Sequence, residues 1–202
     1  MSILKKVVLA SGNQGKLREF NRMLADVNLD IAPQSKFNVP EAVEDGLTFV
    51  ENAIKKARNA AQHTGFAALA DDSGIEVDAL QGQPGIYSAR YAGLPSDDAA
   101  NNQKLLEALK DTPEGQRTAR FRCCIVYMSH AEDPSPLIAD ASWEGIIMPK
   151  ESGADGFGYD PLFFVPTHGC SSAELDPDEK NRISHRGLAL HKMLTKLQQV
   201  YS

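Results

Sequence analysis

The sequence is short of cysteine, of long apolar runs and of positive charge, and each shortage removes a class of function. Only three cysteines occur among 202 residues, Cys123, Cys124 and Cys170, and none forms a CxxC pair. An odd number with no ligand spacing argues against a disulfide framework and for reduced core thiols. Cys123 and Cys124 are neighbours in an apolar run, so a strand there would send them to opposite faces. The five histidines include no HExxH arrangement, which leaves a zinc site without its usual spacing. No run of 18 apolar residues exists, so no segment reads as a membrane span. The opening MSILKKVVLASGNQGK has only a short apolar stretch, with a turn where a signal peptide would need its cleavage site. A cytoplasmic protein with no membrane partner is the expectation. A net charge of −6 lacks the basic field of a nucleic-acid binder, so no nucleic-acid partner is expected either. A small anion is compatible with that charge, since a few Lys, Arg and backbone N–H groups can hold a phosphate locally. Carboxylates beside such a site would then call for a metal.

What is present is ordinary globular composition, 42% hydrophobic and 24% charged, enough for one substantial α/β domain over residues 1–202. A β-branched strand, Lys5 to Ala10, breaks at Ser11-Gly12-Asn13-Gln14-Gly15, and Leu17, Phe20, Met23 and Leu24 continue with helical spacing. Thr48-Phe49-Val50-Glu51 is a capping box that predicts a second helix. Val50, Ala53, Ile54, Ala57, Ala60 and Ala61 form its apolar face, Gly65 its stop, and Asn52, Lys56 and His63 its other side. A short strand, Phe66 to Ala70, is expected to stop at an Asp71-Asp72-Ser73-Gly74 turn, before the alternation of Ile75, Val77 and Ala79. A helix around Asn101 to Lys110, strands at Arg120 to Met128 and Leu137 to Met148, and a glycine-rich loop from Gly153 to Gly158 follow. Leu190, Met193, Leu194 and Leu197 give the buried face of a last helix starting near His185. Trp143 and Tyr87 are assigned to packing. The pattern predicts an α/β fold, a mixed sheet flanked by helices, with no linker or repeat.

Four segments can carry chemistry. In Ser11-Gly12-Asn13-Gln14-Gly15-Lys16 the glycines let backbone approach an anion, and the helix that follows presents unpaired N–H groups. The spacing is not that of a Walker A loop, and a plain turn remains open as its reading. Asp71 and Asp72 bring two carboxylates to the end of an apolar strand, which suits magnesium together with substrate phosphates, or a general base on water. An exposed Asx-turn is the alternative. Glu44 is a candidate second ligand by charge. Phe157 and Tyr159 lie between glycines in Gly156-Phe157-Gly158-Tyr159-Asp160, where rings can stack on a nucleobase or plug a core. Lys180, His185 and Arg186 cluster near the start of the last helix, the end where cations oppose the dipole.

These segments, with Thr48 to Lys56 and Pro84 to Tyr91, occur in an order that resembles the inosine triphosphate pyrophosphatase family, the XTP/dITP diphosphatases. The resemblance covers almost the whole chain. It implies a homodimer with an elongated α/β fold, two lobes around a central nucleotide-binding cleft, and magnesium as cofactor. It also implies cleavage of dITP, ITP or XTP between the α- and β-phosphates. By the same resemblance Ser11, Gly12, Asn13, Gln14, Gly15, Lys16 and Lys56 hold phosphates. Glu44 and Asp72 bind the metal, Asp72 activates water and Ser73 touches substrate. Phe157, Gly158, Tyr159, Asp160, Lys180, His185 and Arg186 form the base pocket. The alternatives are a regulator that senses a triphosphate without cleaving it and a pyrophosphatase for modified pyrimidine or methylated nucleotides.

Overall fold

The computed structural model describes residues 5–11, 20 and 29–201. Of the helix expected around Leu17, Met23 and Leu24, Phe20 alone falls within them; it is helical and fully buried. The remainder lies outside the described residues.

Seven strands form one mixed sheet: β1 (Lys5–Leu9), β2 (Leu29–Pro33), β3 (Ala67–Val77), β4 (Thr118–Met128), β5 (Leu137–Ile147), β6 (Phe163–Val165) and β7 (Cys170–Ser171). Their order is β2-β1-β3-β4-β5-β6-β7. β1 runs parallel to both β2 and β3, whereas β5–β6 and β6–β7 are antiparallel. Four helices are named here: α1 (Phe49–Thr64), α2 (Asp98–Ala108), α3 (Pro177–Ile183) and α4 (His185–Tyr201).

The chain forms two compact units, each assembled from separate stretches of sequence. The first comprises residues 1–72, 123–141 and 186–202, and the second residues 73–122 and 142–185. Three of the passages from one to the other fall inside β3, β4 and β5. No composition shift marks them, because a strand's pattern continues across each.

In the first unit, strand alternation builds two cores. Val7, Leu9, Leu69, Cys123 and Ile125 pack with Ala189, Leu190, Met193 and Leu197 of α4. Val8, Ala10, Ala68, Ala70, Cys124 and Val126 pack with Ala53, Ala57, Ala60 and Ala61 of α1. Each strand thus sends successive residues to different helices, and the two cysteines part as the alternation requires. α1 begins as its capping box demands: Thr48 is the N-cap, its Oγ1 accepting the Glu51 N–H at 3.3 Å. It ends at Gly65, whose φ of +70° is the left-handed turn glycine takes readily. In the second unit Ile75, Val77, Leu105, Phe121, Trp143 and Phe163 make a third core.

The structure corrects two expectations. The acids Asp71 and Asp72 do not end a strand in a turn; β3 runs on through them to Val77. They can stay in extended backbone because both carboxylates meet cations, as described below. Tyr87 is not a packing residue: it is 52% exposed, with the Arg90 guanidinium lying over its ring.

Candidate active site

The parallel pairing of β1 with β3 decides where the acids stand. Leu9 is opposite Leu69, and the Ala10 N–H donates to the Leu69 carbonyl at 2.8 Å. Residues after Leu69 therefore continue past the end of β1, on the side where the chain leaves β1 at the buried Ser11. The carboxyl ends of parallel strands are where open α/β sheets place ligands. Gly12, Asn13, Gln14, Gly15 and Lys16 lie outside the described residues.

Successive positions on β3 point to opposite faces, so each acid is delivered to a different helix. Asp72 follows Ala68 and Ala70 to the α1 side. There its Oδ1 accepts from Lys56 Nζ at 2.8 Å, and its Oδ2 from Asn52 Nδ2 at 3.3 Å. Asp71 follows Leu69 to the α4 side, where Arg186 Nε stands 3.7 Å from its Oδ2. Asp71 and Arg186 are 1% and 4% exposed, Asp72 6%. Burying an ion without a partner costs several kcal/mol, so these cations are what allow two adjacent carboxylates inside a strand. The Arg186 charge at the α4 start, unfavourable toward the helix dipole, has Asp71 as its compensator.

Glu44 joins the same cluster. Its Oε2 is 3.4 Å from Lys56 Nζ, so Glu44 and Asp72 present oxygens to one cation position. Burial pushes the Lys56 ammonium down, but Asp72, Asp71 and Glu44 outweigh it and hold its pKa above the ordinary lysine value. Two hard carboxylate oxygens facing a shared cation also fit a divalent ion. Among the described residues no group of three or more metal-ligating side chains occurs. The rest of a shell would fall to water and phosphate, which is how magnesium is commonly held.

Asn52 is the residue that sequence reasoning missed. Periodicity sets it opposite the apolar face of α1 with Lys56 and His63, yet it is fully buried. Its Oδ1 accepts the Gly46 N–H at 2.8 Å while its amide nitrogen reaches Asp72. It thereby ties the loop carrying Glu44 to the strand carrying Asp72. A Cβ at Gly46 would stand 2.7 Å from Asn52 Oδ1, so this approach needs glycine there. The available signal was the spacing of Asn52 and Lys56, which at i and i+4 share one face of a helix.

In the second unit a single buried acid organises the aromatic loop. Asp160 Oδ2 accepts the Phe157 N–H at 2.9 Å and Lys180 Nζ at 2.6 Å, and its Oδ1 accepts Ser172 Oγ at 2.8 Å. Lys180 Nζ also sits 5.3 Å from the centroid of the Phe157 ring. Phe157, Asp160 and Lys180 are thus brought together, as expected. Tyr159 is turned into the core, its hydroxyl donating to the Ser88 carbonyl at 2.8 Å. Burial, with Tyr91 and Asp98 nearby, pushes its phenol well above the usual range, so it stays a neutral donor. His185 is buried, stacked on Phe121 at 4.7 Å and 12° with Trp143 beyond. Ser73 is half-buried in β3.

A model of the Ham1 family matches residues 7–196. The chain belongs to the Ham1 family. It is 61% identical over 193 residues to the dITP/XTP pyrophosphatase of Thioalkalivibrio sulfidiphilus, covering 96% of this chain and 98% of that one. It is 57% identical over 195 residues to the dITP/XTP pyrophosphatase of Shigella flexneri, covering 96% and 99%. Among solved structures, a HAM1 protein from Coxiella burnetii aligns with a TM-score of 0.92 at 50% identity over 97% of this chain and all of that one. The Staphylococcus aureus Ham1 protein aligns at 0.86 and 39% identity, covering 96% and 99%. The family resemblance read from the motifs and the mixed α/β sheet are both borne out.

For this Ham1-family chain the Lys56 cluster makes a pH prediction. A lysine whose folded pKa is raised contributes stability that is complete below its unfolded pKa and is lost as pH rises through the folded value. The unfolding free-energy difference between wild type and Lys56→Met should therefore be flat from pH 7 to about 9.5. It should shrink above about 10.4, the free lysine value. Urea titrations across that range measure it, and a difference that grows with pH would contradict the assignment.

Proposed function

We propose that this chain hydrolyses the non-standard purine nucleoside triphosphates dITP, ITP and XTP to monophosphate and pyrophosphate, with magnesium as cofactor, removing them from the nucleotide pool. The reading rests on one observation above all: Glu44 and Asp72 meet at one cation position, in a chain whose near-full-length relatives are dITP/XTP pyrophosphatases. The cleaved bond is the α–β phosphoanhydride.

Glu44 and Asp72 are the metal-holding residues, and bound magnesium supplies neutralisation of phosphate charge and polarisation of a phosphoryl oxygen. Lys56, held charged by its carboxylates, and the segment Ser11-Gly12-Asn13-Gln14-Gly15-Lys16 bind the phosphates. Asp72 takes the proton of the attacking water, and Asn52 keeps its carboxylate oriented through Oδ2. Ser73 touches the substrate beside it.

Base recognition belongs to Phe157, Gly158, Tyr159, Asp160, Lys180, His185 and Arg186. Hypoxanthine and xanthine carry an acceptor at position 6, where adenine carries a donor. A buried His or Arg donor is satisfied by the first two and faces another donor in adenine, a mismatch of about 1–3 kcal/mol. The working form is a homodimer, as the motif resemblance implies, and the proposed compartment is the cytoplasm. Among the described residues no helix is long and apolar enough to cross a membrane.

Incubation with dITP and magnesium should give dIMP and pyrophosphate in equal amounts; dIDP with orthophosphate would overturn the reaction type. In the same assay Asp72→Asn should lower kcat by about 10²–10⁴-fold, the range for a lost general base. Near-normal turnover would move that role to another carboxylate.

A further inference from the structure

Gly158 sits in the aromatic loop with a φ of +62°. Glycine there could pivot freely, and a pivot would swing Phe157 away from Asp160 and Lys180. A Cβ on Gly158 would meet nothing within 4 Å. Hydrogen bonds from one helix reach its backbone on both sides. The Gly158 N–H donates to Asp98 Oδ2 at 2.7 Å, and its carbonyl accepts from Asn102 Nδ2 at 3.1 Å. Asp98 and Asn102 are one helical turn apart on α2, so both reach the backbone of Gly158. The same Asn102 nitrogen donates to Glu151 Oε1 at 3.0 Å, which fixes its amide. Both peptide planes flanking the Gly158 Cα are thereby pinned from a rigid element. Asn102 is 4% exposed, whereas Asp98 lies on the surface.

We infer that Asp98 and Asn102 are positioning residues for base selection: α2 holds Gly158 by its N–H and its carbonyl, and so sets where the Phe157 ring and the Lys180 ammonium stand. The inference rests on the proposed role of the 157–160 loop in recognising the purine. Neither residue needs to touch substrate. Asp98 also opens α2, where a carboxylate favours the helix dipole, so a purely structural role is the competing explanation. A structural role would lower the melting temperature and the amount of active enzyme without changing base preference.

The test is steady-state kinetics on the full chain with dITP and dATP for wild type, Asp98→Ala, Asp98→Asn and Asn102→Ala, with melting temperatures beside them. Asp98→Ala, a surface change expected to fold, should raise KM for dITP about tenfold with kcat within about twofold, and shrink the dITP preference over dATP by a similar factor. Asn102→Ala should do the same wherever it folds. Asp98→Asn keeps an acceptor oxygen for the Gly158 N–H and should restore most of both losses. Unchanged KM and preference in Asp98→Ala, or equal losses in Asp98→Ala and Asp98→Asn, would overturn the inference. Wild type that fails to cleave dITP, or cleaves it no better than dATP, would instead remove the base-site reading and this inference with it.

Discussion

Two adjacent carboxylates buried in the middle of a strand are the constraint on which the rest of the first unit depends. Uncompensated, each would cost several kcal/mol, and β3 would break into the turn that Asp-Asp-Ser-Gly favours in isolation. Strand alternation resolves the problem by sending Asp72 to α1 and Asp71 to α4, where Lys56 and Arg186 wait. The helices must then sit at fixed places. The cap at Thr48 fixes where α1 starts, and its alanine face lets it lie close to the sheet. The first residues of α4 supply Arg186 at the height of Asp71. The same alternation that sorts Cys123 from Cys124 into two cores thus sorts two acids into two ion pairs.

The second unit repeats the logic with one acid. Asp160 is 3% exposed and receives a backbone N–H, a hydroxyl and an ammonium, so its charge is met from three directions. The loop that carries it closes around those contacts, leaving Phe157 half-buried under the Lys180 ammonium. Preorganised charge of this kind costs little reorganisation when a substrate binds, which is where its functional worth lies.

Much of this arrangement was legible in the sequence where local rules apply. The cap, alanine face and glycine stop of α1, the strands β4 and β5 and the start of α4 at His185 follow from propensity and periodicity. Glu44, Lys56 and Asp72 were named as site residues, and they converge. What local rules could not show was compensation across the chain. Asp71-Asp72 read as a turn because nothing nearby in sequence neutralises them; Lys56 lies 16 residues before Asp72 and Arg186 far beyond. Asn52 falls opposite the apolar face by periodicity, and its partners, Gly46 and Asp72, are set by tertiary contact. The residues at which the two units divide carry no local mark, since three of the four passages between them fall inside strands.

The central claim is that Asp72 is tolerated in β3 because Lys56 pairs with it. A double-mutant cycle in unfolding free energy at pH 7, using Lys56→Met, Asp72→Asn and the pair, tests that claim most directly. Each single change should destabilise by about 3 kcal/mol, the cost of stripping one partner from a buried ion pair. The double variant should cost less than the sum by at least about 1 kcal/mol, as coupled sites do. Costs that add to within about 0.5 kcal/mol, the behaviour of independent sites, would contradict the account.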